Sequence, residues 1–396
     1  MASWKILQGD VREQLGRLPA GYAQCVVTSP PYWGLRDYGT ASWEGGDPAC
    51  DHQHETKHQQ QGASSQRKGR SNVEAQRNQN FRDVCGKCGA ARVDEQIGLE
   101  PTPDLYVQHL VEVFRAVRRV LKDDGTVWLN LGDCYQSGSR GGYDRERAGV
   151  SKNGGQNASD FAHAPNRLPQ QGLKDKDLVG IPWRVAFALQ ADGWYLRSDI
   201  IWAKAHEFCP GGVGSTMPLG GKRADRPTPA HEYLFLLSKS PRYFYDEEAV
   251  KQPGVYPAGT RAAKGSGTRE GNRRGSKQQQ SGRLYSGFND RYFAPEQDDG
   301  YAVYTGKRRL RDVWFISPQP YKEAHFATFP EKLVEPCILA GCPAGGVVLD
   351  PFCGSGRAGI VATRLDRHFL GIDLKLEYCA MARGAIRAAV PQAQEV

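Results

Sequence analysis

The 396-residue chain has no run of about 18 consecutive apolar residues, so no membrane-spanning segment is predicted. Its opening, "MASWKILQGD", lacks a basic segment followed by an apolar one. No secretory signal is therefore expected, and the chain is read as cytoplasmic. No internal repeat is visible, so a repeat architecture is not expected. A disulfide framework is missing too. The ten cysteines are scattered, most of them in apolar stretches such as "CVV" and "EPCILAG", which points to reduced thiols. Nor does one sign of charge dominate. The 52 Lys+Arg against 44 Asp+Glu leave a net +8, which suits a polyanionic partner without specifying one. The length allows one large domain with insertions or two to three smaller ones.

Three stretches have little to bury: 53–82, rich in Gln, Ser, Arg and Asn; 136–176, "QSGSRGGYDRERAGVSK" and onward; and 251–311. The last holds 13 basic and 5 acidic side chains, a local +8 equal to that of the whole chain. Such segments do not offset their own ordering entropy and are read as loops or insertions that order on a ligand. Between them, short apolar runs at 4–8, 25–28, 126–131, 194–203 and 231–238 predict strands. Residues 103–121 predict a helix, with Thr102 as N-cap, Pro103 at the first position and apolar side chains at 106, 110, 113, 114, 117, 120 and 121. A second helix is expected at about 181–191. Residues 345–356, "GGVVLDPFCGSG", read as a strand and a glycine turn, followed by helix "RAGIVATRL" and strand "HFLGID". This alternation predicts a doubly wound α/β sheet.

"GSGRAG" (354–359) matches G-x-G-x-x-G between a strand and a helix, where backbone approaches a ligand and helix N–H groups lie open. Asp373, ending the next strand, is placed to accept from ribose hydroxyls. Nicotinamide, flavin and S-adenosylmethionine sites share this pattern, and a plain tight turn is the bland alternative. Position discriminates among them. Only 23 residues follow Asp373, so the rest of the sheet must come from the N-terminal part of the chain. An ordinary dehydrogenase does not have that permuted order.

"TSPPYW" (28–33) ends the strand 25–28 in two prolines, which cannot donate to a sheet and hold φ near −65°. An exocyclic base amine is a poor nucleophile because its lone pair is delocalised into the ring. Ser29 and the Pro30 carbonyl, stiffened by Pro31, can accept its N–H bonds and direct the lone pair. Tyr32 can stack on a base swung out of the duplex, with Trp33 in support.

"TSPPYW" near the start, "DPFCGSG" near the end and a basic region between them resemble the DNA amino-methyltransferases of the β arrangement, phage or prophage type. The resemblance covers most of the chain and implies a Rossmann-like methyltransferase fold with the catalytic motif first and the donor motif last. It implies S-adenosylmethionine as donor, with catalytic Ser29, Pro30, Pro31 and Tyr32. Asp350, Pro351, Phe352, Gly354, Gly356 and Asp373 are then donor-binding, joined by Asp10 and, in "HFATFPEKL" (325–333), by His325, Phe326, Ala327, Thr328 and Pro330. Double-stranded DNA is the implied partner; a companion restriction endonuclease and the oligomeric state stay open. Serine in the clamp favours cytosine N4, and adenine N6 stays the alternative. Protein glutamine methyltransferases and cytosine C5 enzymes fit less well: the former place the donor motif first, and the one Pro-Cys pair, Pro336-Cys337, lies in a predicted helix. A zinc-stabilised DNA-binding protein without catalysis is the more distant rival.

"CDHQH" (50–54) and "CGKC" (85–88) flank the first polar stretch. Cys85 and Cys88 form a knuckle suited to tetrahedral Zn2+, with Cys50 and His52 (or His54) completing a structural site; unligated cysteines in a loop are the bland reading. The expected organisation is a catalytic domain of 1–40, 98–250 and 312–396, a zinc insertion at 41–97 and a target-recognition region at 251–311. In "KRRLR", Lys307, Arg308, Arg309 and Arg311 are candidate phosphate contacts. Tyr285, Phe288, Tyr292, Phe293, Tyr301 and Tyr304 interleave that region. The loop 209–223 is expected to shape the base pocket, and Asp133, Cys134 and Tyr135 to lie at a strand end beside the donor.

Overall fold

The computed structural model describes residues 2–34, 42–52, 84–94, 96–136, 170–204, 226–227, 229–263, 301–318 and 329–396, the side chains of 261–263 and 301–303 excepted. In chain order the elements are β1 (Ser3–Gln8), α1 (Val11–Arg17), β2 (Ala23–Thr28), β3 (Ser42–Glu44), β4 (Ala91–Val93), α2 (Pro103–Val120), β5 (Leu121–Leu131), α3 (Ile181–Ala191), β6 (Tyr195–Ala203) and β7 (His231–Ser238). There follow β8 (Gln252–Pro253), β9 (Arg261–Ala263), β10 (Tyr301–Val303), β11 (Lys307–Arg308), β12 (Val313–Phe315), α4 (Glu331–Gly341), β13 (Val347–Asp350), α5 (Arg357–Arg364), β14 (His368–Asp373), α6 (Leu376–Ala389) and β15 (Gln394–Glu395).

Among the described residues, nine strands form one sheet in the order β12-β6-β7-β5-β2-β13-β14-β1-β15. All neighbours are parallel except around β7, which runs antiparallel to both β5 and β6. Successive side chains of a strand point to opposite faces. On β2, Val26 joins the core cluster of α1, α2 and α3, while the Cys25 thiol faces the Cys337 carbonyl of α4. The sheet thus carries helices on both faces, the doubly wound arrangement expected.

Helix α2 starts where the sequence predicts. Thr102 Oγ1 accepts from Leu105 N at 3.2 Å, and Pro103 takes the first turn, where no intrahelical partner for its N–H is needed. Tyr106, Leu110, Val113, Phe114, Val117 and Val120 are buried along one stripe. Each such side chain contributes about 1.5–3 kcal/mol, well above the few tenths that valine loses in a helix, so packing decides the conformation. Strand β5 begins five residues earlier than its apolar run at 126, because Leu121 already pairs with Ala23 across a bulge. Among the described residues no helix is long and apolar enough to cross a membrane.

Two compact units are distinguished: Met1–Phe244 with Val313–Val396, and Tyr245–Asp312. The second is built on short antiparallel ladders, β8 with β11 and β9 with β10. Within it the ring centres of Tyr256 and Tyr304 lie 4.8 Å apart, and Arg309 makes a bidentate pair with Glu247 at 2.7 and 3.1 Å.

Candidate active site

The chain leaves β2 towards β5 on one side and β13 towards β14 on the other, although β2 and β13 are parallel neighbours. Such a switch point opens a crevice at the carboxyl ends of the strands. Here it holds a cavity of about 830 Å³, lined by Ser29, Pro30, Pro31 and Tyr32 on one wall and by Phe352, Gly354 and Asp373 on the other. The walls are fastened beneath by Thr28 Oγ1, which donates to Asp350 Oδ1 at 2.7 Å across 322 residues of sequence.

The 352–373 wall is mostly backbone. Gly354 has φ +47° and nothing within 4 Å of the position a Cβ would take, so its main chain lies open. Gly356, at φ +76°, turns away from the cavity against Ala382, 2.9 Å from where a Cβ would sit. Asp373 accepts from Gly354 N at 2.9 Å and Lys375 N at 3.0 Å, and burial raises its pKa against these bonds. Pro351 and Asp10 also line the cavity; Asp10 caps α1 by accepting from Arg12 N and Glu13 N. Asp350 lies below the surface, 1% exposed, with Oδ1 taking Phe352 N and Oδ2 without a partner. Burial pushes its pKa up to about 7. Pro330 caps α4 outside the lining, beside Phe329, which is in it. His325, Phe326, Ala327 and Thr328 lie outside the described residues.

Side chains from separate strands build the 29–32 wall. Ser29 Oγ lies 3.3 Å from both Tyr32 Oη and Asn130 Oδ1. The Tyr32 hydroxyl has two acceptors, Glu232 Oε2 at 2.7 Å and Asn130 Oδ1 at 2.9 Å. Asn130 Nδ2 donates to Glu232 Oε2 at 3.2 Å and to the Tyr233 carbonyl, and Lys204 forms an ion pair with Glu232 Oε1. Burial first, then the Glu232 charge, raises the Tyr32 pKa well above its usual value.

Behind the clamp, Tyr106 Oη donates to the Pro31 carbonyl at 2.9 Å and Trp33 Nε1 to the Glu100 carbonyl at 2.8 Å. Gly132 lets the Tyr32 ring lie against main chain, since a Cβ there would meet Cε2 at 2.5 Å. Gln96 and Ile97 extend this wall. Sequence reasoning does not single out Asn130, Gly132, Lys204 or Glu232; each is a single position with no local motif of its own. Asp133 and Tyr135 line the cavity, but the Asp133 carboxylate also accepts from Cys134, Gly180 and Ile181 N, holding the start of α3. Cys134 is in the core.

Cys50, His52, Cys85 and Cys88 gather with their ligand atoms within 4.8 Å of one another. Cys50 and Cys85 Sγ are 3.8 Å apart, and Cys88 Sγ is 3.5 Å from His52 Nδ1. Lys87 N and His52 N donate to the Cys85 and Cys50 sulfurs at 3.4 and 3.5 Å. Gly46 passes so close that a Cβ would lie 2.7 Å from Cys88 Sγ. His54 lies outside the described residues, as do the 209–223 loop, Tyr285, Phe288, Tyr292, Phe293 and the Tyr301 side chain. In the second unit, Lys307 and Arg308 form β11, with Arg309 and Arg311 just beyond it.

Residues 23–384 match the N6/N4 family model described as DNA methylase. Among curated proteins, the chain is 38% identical over 377 residues to the type II methyltransferase M.Cfr9I of Citrobacter freundii, covering 95% of this chain and 85% of that protein. It is 38% identical over 387 residues to the type II methyltransferase M.SmaI of Serratia marcescens, covering 98% and 91%. Among solved structures, the PvuII DNA methyltransferase (cytosine-N4-specific) shares the fold, with a TM-score of 0.50 at 16% identity over 97% of this chain and 86% of that one. The chain belongs to this DNA methylase family and is a DNA amino-methyltransferase, acting on cytosine N4 or adenine N6.

Proposed function

We propose that the enzyme methylates N4 of a cytosine swung out of double-stranded DNA, with S-adenosylmethionine as donor. The observation that carries this reading is that Ser29, a neutral acceptor at the clamp, shares one cavity of about 830 Å³ with the glycine turn. A volume in the range of about 300–1,000 Å³ suits a ligand of nucleoside size. The wall at 352–373 fits that donor: the space beside Gly354 is open where a Cβ would stand, and the Asp373 carboxylate, held by the N–H groups of Gly354, Leu374 and Lys375, has about four lone-pair sites and so keeps one for a hydroxyl. The donor supplies an electrophilic methyl group on a sulfonium sulfur. Ser29 Oγ and the Pro30 carbonyl accept the two amine N–H bonds and turn the lone pair across the cavity, Pro31 stiffens the turn, and Tyr32 presents its ring to the base. Transfer is direct, with no covalent enzyme intermediate.

Incubation with DNA and labelled donor, followed by hydrolysis to nucleosides and mass analysis, tests the target. N4-methylcytosine is expected; N6-methyladenine would overturn the choice of base while leaving the family intact.

Zn2+ is proposed at Cys50, His52, Cys85 and Cys88, a closed four-ligand set of structural type. The backbone N–H bonds to Cys50 and Cys85 suit thiolates. Beyond β4 in the chain, Gly98 O accepts from Gly34 N at 2.8 Å behind the clamp. About one zinc per chain is expected, lost in Cys85→Ser; native protein free of metal would refute the site. The catalytic domain (1–40, 98–250, 312–396), the insertion (41–97) and the target-recognition region (251–311) are the proposed organisation. Lys307, Arg308, Arg309 and Arg311 are the proposed phosphate contacts, Arg309 exchanging Glu247 for a phosphate.

A further inference from the structure

Methyl transfer to an amine leaves one proton too many on nitrogen, and the residues assigned so far do not dispose of it. The 29–32 wall contains a carboxylate suited to that task. Trp202 and Ala203, ending β6, pair with Glu232 and His231 at the start of β7, which brings Glu232 to the cavity rim. The Glu232 side chain is 13% exposed, with Lys204 on Oε1 and Tyr32 Oη and Asn130 Nδ2 on Oε2. Holding an acid among these groups is costly for folding alone, and such arrangements concentrate at functional sites.

We propose that Glu232 takes up the proton expelled from the base amine, passed on by the hydroxyls of Ser29 and Tyr32. This rests on Ser29 accepting an amine N–H. As the N–C bond forms, the C–S electron pair stays on sulfur and the amine nitrogen becomes cationic. Its proton moves to Ser29 Oγ while the serine proton passes along the 3.3 Å contact to Tyr32 Oη and the tyrosine proton along the 2.7 Å hydrogen bond to Glu232 Oε2. Both hydroxyls are restored, the methylamine is neutral, and Glu232 carries the proton. Lys204 holds Oε1 throughout, so Oε2 keeps its aim at Tyr32. Asn130, accepting from both hydroxyls and donating to Glu232, is a positioning residue for the chain of groups. The relay serves an amine of either base.

Single-turnover methylation with saturating donor and duplex separates this role from a structural one. Tyr32→Phe removes only the hydroxyl, and Glu232→Gln keeps the shape without the charge. Each is expected to slow the step by roughly 10²-fold, with donor affinity unchanged. The double variant is expected to be no slower than the worse single one, because both cut the same path. Formate is expected to restore part of the rate to Glu232→Ala in a saturable way and none to Tyr32→Phe. Full-rate Tyr32→Phe beside an active wild type would overturn the relay and leave the methylation reading standing. So would Glu232→Ala that formate leaves unchanged, or a Glu232→Gln loss confined to KM for DNA.

Discussion

The two walls of the cavity are made differently. The wall at 352–373 is one short run of chain, shaped by the positive φ of Gly354, with one acid from the next strand whose carboxylate is held by main-chain N–H groups. The wall at 29–32 draws Ser29 and Tyr32 from the turn after β2, Asn130 from β5, Lys204 from just beyond β6 and Glu232 from β7, and works through side chains. A backbone site recognises a ligand common to many reactions. A side-chain site can be retuned one residue at a time, which suits the half that chooses and activates the acceptor.

The sharpest way to separate the walls is Ser29→Ala. Loss of one oriented acceptor is expected to lower kcat roughly 10²–10³-fold, with duplex affinity and donor affinity nearly unchanged in gel-shift and calorimetric titrations. Asp373→Asn should do the reverse. Donor affinity is expected to weaken about tenfold by calorimetry, as a hydrogen bond to a charged acceptor becomes one to a neutral amide, while kcat at saturating donor changes little. If both variants moved both quantities equally, the division would collapse.

The smallest expected effect probes Asp350, which ties the walls together. Its pKa is raised from 3.8 to about 7 by burial, so the folded protein holds a proton that the unfolded chain has released. The sign follows: this carboxyl's contribution to stability declines as pH rises from about 4 to about 7. Asp350→Asn does not titrate. Its melting temperature relative to wild type is expected to rise by a few degrees between about pH 4.5 and about pH 8. A constant difference across that range would show that Asp350 does not titrate there.

Legibility follows the same division. "DPFCGSG" and "TSPPYW" are contiguous, and a local conformation forces their wording: glycine where φ is positive, proline where the chain must stop pairing. The start of α2 was equally readable, because Thr102 and Pro103 act within one turn. The partners of the clamp were not. Asn130 is 101 residues from Ser29, and Glu232 is 200 residues from Tyr32, so only the folded sheet joins them. Nothing in "HEYLFLLS" distinguishes its glutamate from a solvated strand end. The cysteine cluster lies between these extremes: Cys85-x-x-Cys88 is a local pattern that points to Cys50 with His52 or His54, and the fold brings Cys50 and His52 to it.

Strand β7 lies against the grain of its sheet, and that has a consequence for how such sites are furnished. A reversed strand delivers its opening side chains at the rim where its neighbours deliver their closing ones. One more group can thus be brought to a crowded mouth without lengthening any loop, and with the rigidity of a strand-paired backbone.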